Sequence, residues 1–309
     1  MERPKAMAES FLNLSSRRSS ISMHLSLYSP RLRIKALVDK CYQFKKDNTY
    51  IPWRRATQGP YLRVLMLGRG GAGKTTLSIL LARELARRGL NPLILDVDEC
   101  SRGIARMLGV NEPAWLIEVL GGPEGVEELR RRGAFKPVSL GCCSTMSGDG
   151  LRLVQAGKLM VGGEGCACYI HLAALSFLKG LEGLRDPVIV DTGSSAEFLG
   201  RGFEGGLFDL ALFVADAVHD SVEYALRLER MCCELGVPSF AVVVNKAGTG
   251  GFEVEERLGG LGFKVEASIR YDPLIYLSWL RGGPLRAGVA LRDCRGLVDS
   301  LLAWPRLGG

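Results

Sequence analysis

Three groups of residues have types and spacings that could carry chemistry. The first is Gly68-Arg69-Gly70-Gly71-Ala72-Gly73-Lys74-Thr75, which fits the pattern G-x-x-x-x-G-K-[ST]. Glycines at these steps let backbone N–H groups converge on phosphate oxygens, and a helix that starts at the lysine adds its positive end. Lys74 then reaches the β- and γ-phosphates, Thr75 holds Mg2+, and Thr76 continues the cradle. The second group is acidic: Asp96 and Asp98 in LILDVD, and Asp191 closing PVIVD. Carboxylates at the C-terminal ends of parallel strands face the ligand crevice. There Asp191 is expected to support Mg2+ and Asp98 to orient an attacking water. Asn245, at the end of SFAVVVN, can hydrogen-bond a purine edge. The third group is Cys166-Ala167-Cys168, behind Gly162, Gly163 and Gly165. Two thiolates one residue apart fill only half of a four-coordinate site. A two-fold dimer would present the same pair again and place four sulfurs at the seam. A planar array of sulfurs suits Ni2+ and a tetrahedron suits Zn2+. The competing reading is a pair of small buried hydrophobes.

These residues need strands and helices in a particular order to meet. Residues 61–67, YLRVLML, read as a buried strand that runs straight into the glycine-rich loop. Residues 74–89 follow with Leu77, Leu80, Leu81 and Leu85 at helical spacing, and residues 92–97 as the next strand. Strand, helix, strand with short links predicts a parallel pair with a right-handed crossover. Further strands are expected at 187–191, 209–215 and 239–245, with helices between them, as at 220–235. Their apolar runs are continuous rather than alternating, which marks strands covered on both faces. The expected fold is α/β: a doubly wound, mainly parallel sheet with helices on both faces, in one domain over residues 61–309. The tail at 291–303, with Leu297, Val298, Leu301 and Leu302, reads as a helix packed on the core.

The loop RGGAGKTT resembles the variant phosphate loop of MinD/ParA-like ATPases, a group that includes the nitrogenase iron protein. Arg69 stands where that family carries a second lysine, and the resemblance implies that it reaches the ATP of a partner subunit. Within the group, residues 62 to 290 resemble the CooC-type accessory ATPases of nickel-dependent carbon monoxide dehydrogenase. Asp96-Val97-Asp98 looks like the family's D-x-D before its first switch, and Gly165-Cys166-Ala167-Cys168 like its glycine-flanked C-x-C. Asp191 with Glu197 and Arg201 resembles its second switch, with Ser194-Ser195 in place of Ala-Gly. Tyr271-Asp272-Pro273 looks like the Y-D-P near the purine, which makes Asp272 a nucleotide-binding candidate. What the resemblance implies is a homodimeric ATPase that uses ATP and Mg2+. It would hold one Ni2+ or Zn2+ between Cys166 and Cys168 of both chains, with carbon monoxide dehydrogenase as client.

Charge narrows the partners. Of 40 basic and 33 acidic side chains, residues 1–60 carry twelve and four, so the net charge of +7 belongs to that segment and the body is near neutral. A near-neutral body argues against a nucleic-acid partner, and no run of apolar residues is long enough to argue for a membrane span. Residues 1–60, with the Ser/Arg-rich stretch LSSRRSSIS, read as a dispensable extension, a targeting segment or an upstream start. Nine cysteines, including the adjacent pairs Cys142/Cys143 and Cys232/Cys233, form no tidy disulfide framework, and a reducing cytoplasm is expected. Cys100, Cys142, Cys143 and His171 are read as structural. Two rivals remain: a MinD/ParA-like positioning ATPase, and an iron–sulfur carrier ATPase.

Overall fold

The computed structural model describes residues 62–132, 139–163, 166–181, 184–248 and 251–303. The extension expected at residues 1–60 lies outside these. The chain runs β1 (Arg63–Gly68), α1 (Lys74–Arg87), β2 (Leu93–Asp96), α2 (Gly103–Leu108), α3 (Leu116–Val119), α4 (Gly122–Arg132), α5 (Leu140–Cys143), β3 (Ser144–Met146), β4 (Arg152–Gln155), α6 (Cys168–Gly180), β5 (Val188–Asp191), α7 (Ser195–Gly200), β6 (Leu210–Ala215), α8 (His219–Leu235), β7 (Phe240–Ala247), α9 (Gly251–Gly260), β8 (Val265–Arg270), α10 (Pro273–Arg281) and α11 (Val289–Leu302).

The eight strands form one sheet in the order β3-β4-β2-β5-β1-β6-β7-β8. Every neighbouring pair is parallel except β3 with β4. This is the doubly wound sheet the sequence predicts. Strands β1, β2, β5 and β6 are buried along their whole length, as continuous apolar runs require. Helices α1 and α11 cover one face, with Leu77, Leu80, Leu81, Leu297, Val298 and Leu301 in the core they share with Met66, Ile94 and Val243. The tail helix is therefore core material.

The sequence reading omitted β3, β4 and β8. The first two are three and four residues long and hold few apolar side chains. β8, VEASIR, is a half-buried edge strand, so it lacks the continuous apolar run that marked the central ones. Among the described residues no helix is long and apolar enough to cross a membrane.

Register fixes the site. Met66 and Asp96 both pair with Asp191 from either side. Aligned neighbours on parallel strands point to the same face, so Asp96 and Asp191 share one level at the carboxyl edge of the sheet. The loop after β1 opens beside them.

Candidate functional site

The loop from Gly68 to Gly73 needs backbone that other residues resist. Gly71 and Gly73 have φ of 79° and 101°, the left-handed region that favours glycine. A Cβ on Gly73 would collide with the Asn245 side chain, whereas one on Gly70 or Gly71 would meet only open space. That space is a cradle of the kind phosphates fill. Lys74, the first residue of α1, is buried, and its ammonium donates to the carbonyls of Gly68 and Arg69 at 3.1 Å each. Burial lowers its pKa, against the pull of Asp191, Asp98 and Glu99. Asn245 Nδ2 donates to Ala72 O at 2.8 Å and Lys246 Nζ to Gly71 O at 2.6 Å, so the end of β7 braces the loop from below. Asn245 was expected at a purine edge; the structure spends its amide on the loop itself.

Asp191 is fully buried. One carboxylate oxygen accepts from Ser78 Oγ at 3.2 Å, and the other, Oδ2, is buried without a hydrogen-bond partner. Burial, and then the charge of Asp96 beside it, raise the Asp191 pKa to about 7, while the Thr75 hydroxyl and Lys74 pull it down. An orphaned buried oxygen next to a threonine hydroxyl fits a divalent cation bound with nucleotide, so Thr75 and Asp191 are the residues that would hold Mg2+.

The other two carboxylates differ. Asp96 accepts from Lys158 Nζ at 2.7 Å, from Gln155 Nε2 at 2.9 Å and from the Asp98 N–H at 3.0 Å. Both of its oxygens are engaged within the chain, and burial raises its pKa against the pull of Lys158. It therefore fixes the strand end instead of facing a ligand. Asp98 is half-buried, and its Oδ1 accepts from the N–H groups of Cys100 and Ser101 at 2.9 and 3.1 Å. That oxygen shapes the turn beyond β2, right against Gly193.

Arg69 pairs with Asp216 at 3.9 Å and Asp220 at 3.7 Å. Exposed pairs of this kind are weak, which leaves the guanidinium free to be drawn elsewhere. Asp272, expected near the purine, caps α10: Oδ1 accepts from the Leu274 N–H at 3.0 Å, and Oδ2 from the N–H groups of Gly288 at 2.6 Å and Ala290 at 3.1 Å. It is buried and spoken for. The aromatic the sequence reading missed is Trp279 on α10, whose Nε1 donates to Thr76 Oγ1 at 3.2 Å.

Cys166 and Cys168 are joined by a disulfide within the chain, with Cα atoms 5.3 Å apart. Cys166 is exposed and Cys168 half-buried at the start of α6. As a disulfide the pair offers no thiolates, so the metal expectation requires it reduced. No three His, Cys, Asp or Glu residues among those described are grouped to hold a metal ion, so among these residues the two sulfurs stand as a pair. Cys142 is exposed and Cys143 buried, and burial pushes the Cys143 thiol up to about 11, which suits a structural residue. His171, one turn into α6, is buried against Glu99 and meets Phe198 edge-on, with ring centroids 5.2 Å apart. His171 beside Glu99 holds that carboxyl below the usual range.

A glycine-rich loop running from a central parallel strand into a helix N-terminus, beside a buried and partly unpaired carboxylate, defines a P-loop nucleotide-binding protein. The chain belongs to the ParA/MinD-like family of P-loop NTPases. The ParA family, described as NUBPL iron-transfer P-loop NTPase, matches residues 61–154. An uncharacterized ATP-binding protein of Methanocaldococcus jannaschii is 35% identical over 198 residues, covering 60% of this chain and 78% of that protein. The carbon monoxide dehydrogenase accessory protein CooC of Rhodospirillum rubrum is 25% identical over 199 residues, 60% of this chain and 74% of its own length. An iron–sulfur cluster carrier protein of M. jannaschii is 32% identical over 78 residues, about a quarter of each chain. The cell division ATPase MinD of Pyrococcus furiosus shares the fold at TM-score 0.59 and 20% identity, over 77% of this chain and 98% of that one.

Proposed function

We propose that this chain is an ATPase that couples Mg2+-ATP binding, dimer closure and hydrolysis to the handling of a transition metal by Cys166 and Cys168. Nickel is the cargo favoured, and a nickel-dependent carbon monoxide dehydrogenase the client. The observation that carries the nucleotide half is the orphaned Asp191 Oδ2, buried beside Thr75 at the mouth of the glycine cradle. Lys74 leaves the loop carbonyls for the β- and γ-phosphates, and Thr75 and Asp191 bind Mg2+. Asp98 orients the water that attacks the γ-phosphorus, giving ADP and phosphate. Arg69 is released from Asp216 and Asp220 to neutralise charge on the γ-phosphate of a second subunit, bidentately where geometry allows.

The metal half is supported by the C-x-C pair, exposed at Cys166 and half-buried at Cys168, and by the likeness to CooC over most of that protein's length. Reduced, each chain offers two thiolates, and two chains complete a four-sulfur site. An iron–sulfur carrier is the second reading, favoured by the iron-transfer description of the matching family. Protein purified without oxygen or chelator decides between them. Nickel or zinc at one ion per two chains, lost in a Cys166→Ser/Cys168→Ser variant that still binds nucleotide, supports metal handling. Brown absorption bands with iron and sulfide favour the carrier. Dimerisation that ignores both the cysteine replacement and added nickel overturns the coupling.

A further inference from the structure

The loop that carries the cysteines is fastened at both ends to one short turn. On the near side, Lys158 Nζ reaches Asp96 Oδ2 at 2.7 Å and the Asp98 carbonyl, and the Leu159 N–H donates to Glu99 O at 2.9 Å. On the far side, His171 Nε2 faces Glu99 Oε2 at 3.5 Å, one turn after Cys168. The turn that receives all of these contacts, residues 96–99, also contains Asp98. A third attachment comes from the segment after β5: Arg201, ion-paired to Glu197, lies with Nη1 3.8 Å from Cys166 Sγ. Phe198 of the same helix packs on the His171 ring.

On the near side Lys158 Nζ and the Leu159 N–H both find acceptors; the far side is looser. Glu99 Oε2, His171 Nδ1 and Arg201 Nε are all buried without a hydrogen bond among the described residues, and a 3.5 Å separation is long for one. Three of the seven orphaned buried polar atoms among the described residues thus gather where α6, α7 and the 96–99 turn meet. A half-satisfied buried network is the kind of packing that holds a second arrangement with its partners exchanged.

We propose that Glu99, His171 and Arg201 form a latch through which nucleotide occupancy sets the exposure and metal affinity of the Cys166–Cys168 pair. The latch rests on the metal-handling reading above. Nucleotide at Asp98 and Asp191 shifts the two segments that begin there. Glu99 rides on one, and Glu197, Phe198 and Arg201 on the other. Both end on α6 and Cys166, whereas the Lys158 strut stays fixed and acts as the pivot. His171 and Arg201 are positioning residues: neither touches nucleotide.

The test uses the full chain, reduced, with peptide-resolved alkylation of each cysteine and the exposed Cys233 as internal reference. Labelling is timed with and without a non-hydrolysable ATP analogue and Mg2+. In the wild type, the rate at Cys166 and Cys168 is expected to change about fivefold or more on adding the analogue, the lower range of ordinary site-to-site coupling. In His171→Phe and Arg201→Met the change shrinks to less than about twofold while analogue affinity stays within about twofold of wild type. Arg201→Lys, which keeps a cation near the sulfur, recovers part of the response. Should His171→Phe not fold, the two Arg201 variants carry the test. A wild type whose labelling ignores the analogue, or variants that respond as the wild type does, overturns the latch. Zn2+ and Ni2+ affinities, taken on the same samples by competition with a chromophoric chelator, separate the two claims. Labelling that responds without metal binding keeps the latch and removes the cargo. Metal binding that ignores nucleotide in every variant keeps the cargo and removes the latch.

Discussion

Asp191 and Asp96 stand level on adjacent strands, yet they are treated differently. Lys158 forms an ion pair with Asp96 and Gln155 donates a hydrogen bond to it, while Asp191 has one oxygen unpaired and a pKa raised to about 7. A carboxyl whose folded pKa lies above its unfolded value of 3.8 contributes full stability below that value and loses it as pH rises through about 7. Without Mg2+, then, this group weakens the fold between those limits. Asp191→Asn in EDTA should be as stable as the wild type near pH 4 and more stable above pH 7, by on the order of 1–4 kcal/mol. The same variant should lose the Mg2+-nucleotide stabilisation that the wild type shows. Urea denaturation across pH checks the first claim and thermal shift with ADP the second; a pH-independent difference would show that the burial cost lies elsewhere. Sequence reading located Asp191 because a strand-end carboxylate is a local feature. It could not see that Asn245 would brace a loop 173 residues away, or that Lys158 would claim Asp96, because those pairings exist only once strands are adjacent. The phosphate loop was legible in full because its geometry is written in consecutive residues.

Among the elements, α10 changes the site most, and its place beside the phosphate loop was not legible. Its N-cap is Asp272, with Pro273 in the first turn, a start signal recognisable from sequence. The further partners, Gly288 and Ala290, belong to the entry of α11, so one carboxylate ties two helices. Asp272→Ala leaves three N–H groups without acceptors and should cost about 2–4 kcal/mol, more than a simple cap. Nucleotide affinity, measured where the variant is folded, should stay near that of the wild type. A large loss of affinity at unchanged stability would return Asp272 to the purine. Four residues after Leu274, Ser278 carries the helix into Trp279, whose indole lies on Thr76 and under Arg106, 5.8 Å from its guanidinium to the ring centroid. Thr76 is the last residue of the phosphate cradle, so nucleotide that takes its hydroxyl must disturb the indole. Adding Mg2+-ADP should change tryptophan emission in the wild type and leave Trp279→Phe nearly silent. An equal response from that variant would assign the signal to another tryptophan.

At the scale of the molecule, the described residues form one eight-stranded sheet. All eight strands fall between Arg63 and Arg270, and the helices that cover them end at Leu302. That the central strands run parallel was readable, because strand, helix, strand units with short links close that way; their order was not, since β5 inserts between β1 and β2, and nor were the edges, since short or half-exposed strands leave faint patterns. The extension holds twelve basic and four acidic residues, against a near-neutral remainder, so it dominates the chain's pI of about 9.0. Two properties that usually travel together should therefore come apart. A chain starting at residue 61 should keep its melting temperature within about 2 °C, a shift of well under 1 kcal/mol for a domain of this size, and bind Mg2+-ADP as the full chain does. It should at the same time lose retention on a cation exchanger and any salt-sensitive adhesion to anionic surfaces, which fall with the exposed positive charge. Thermal shift, nucleotide titration and a salt-gradient elution on the two chains make the comparison. If the shorter chain melts many degrees lower, the extension contributes packing to the domain, and the boundary at residue 60 drawn from composition is misplaced.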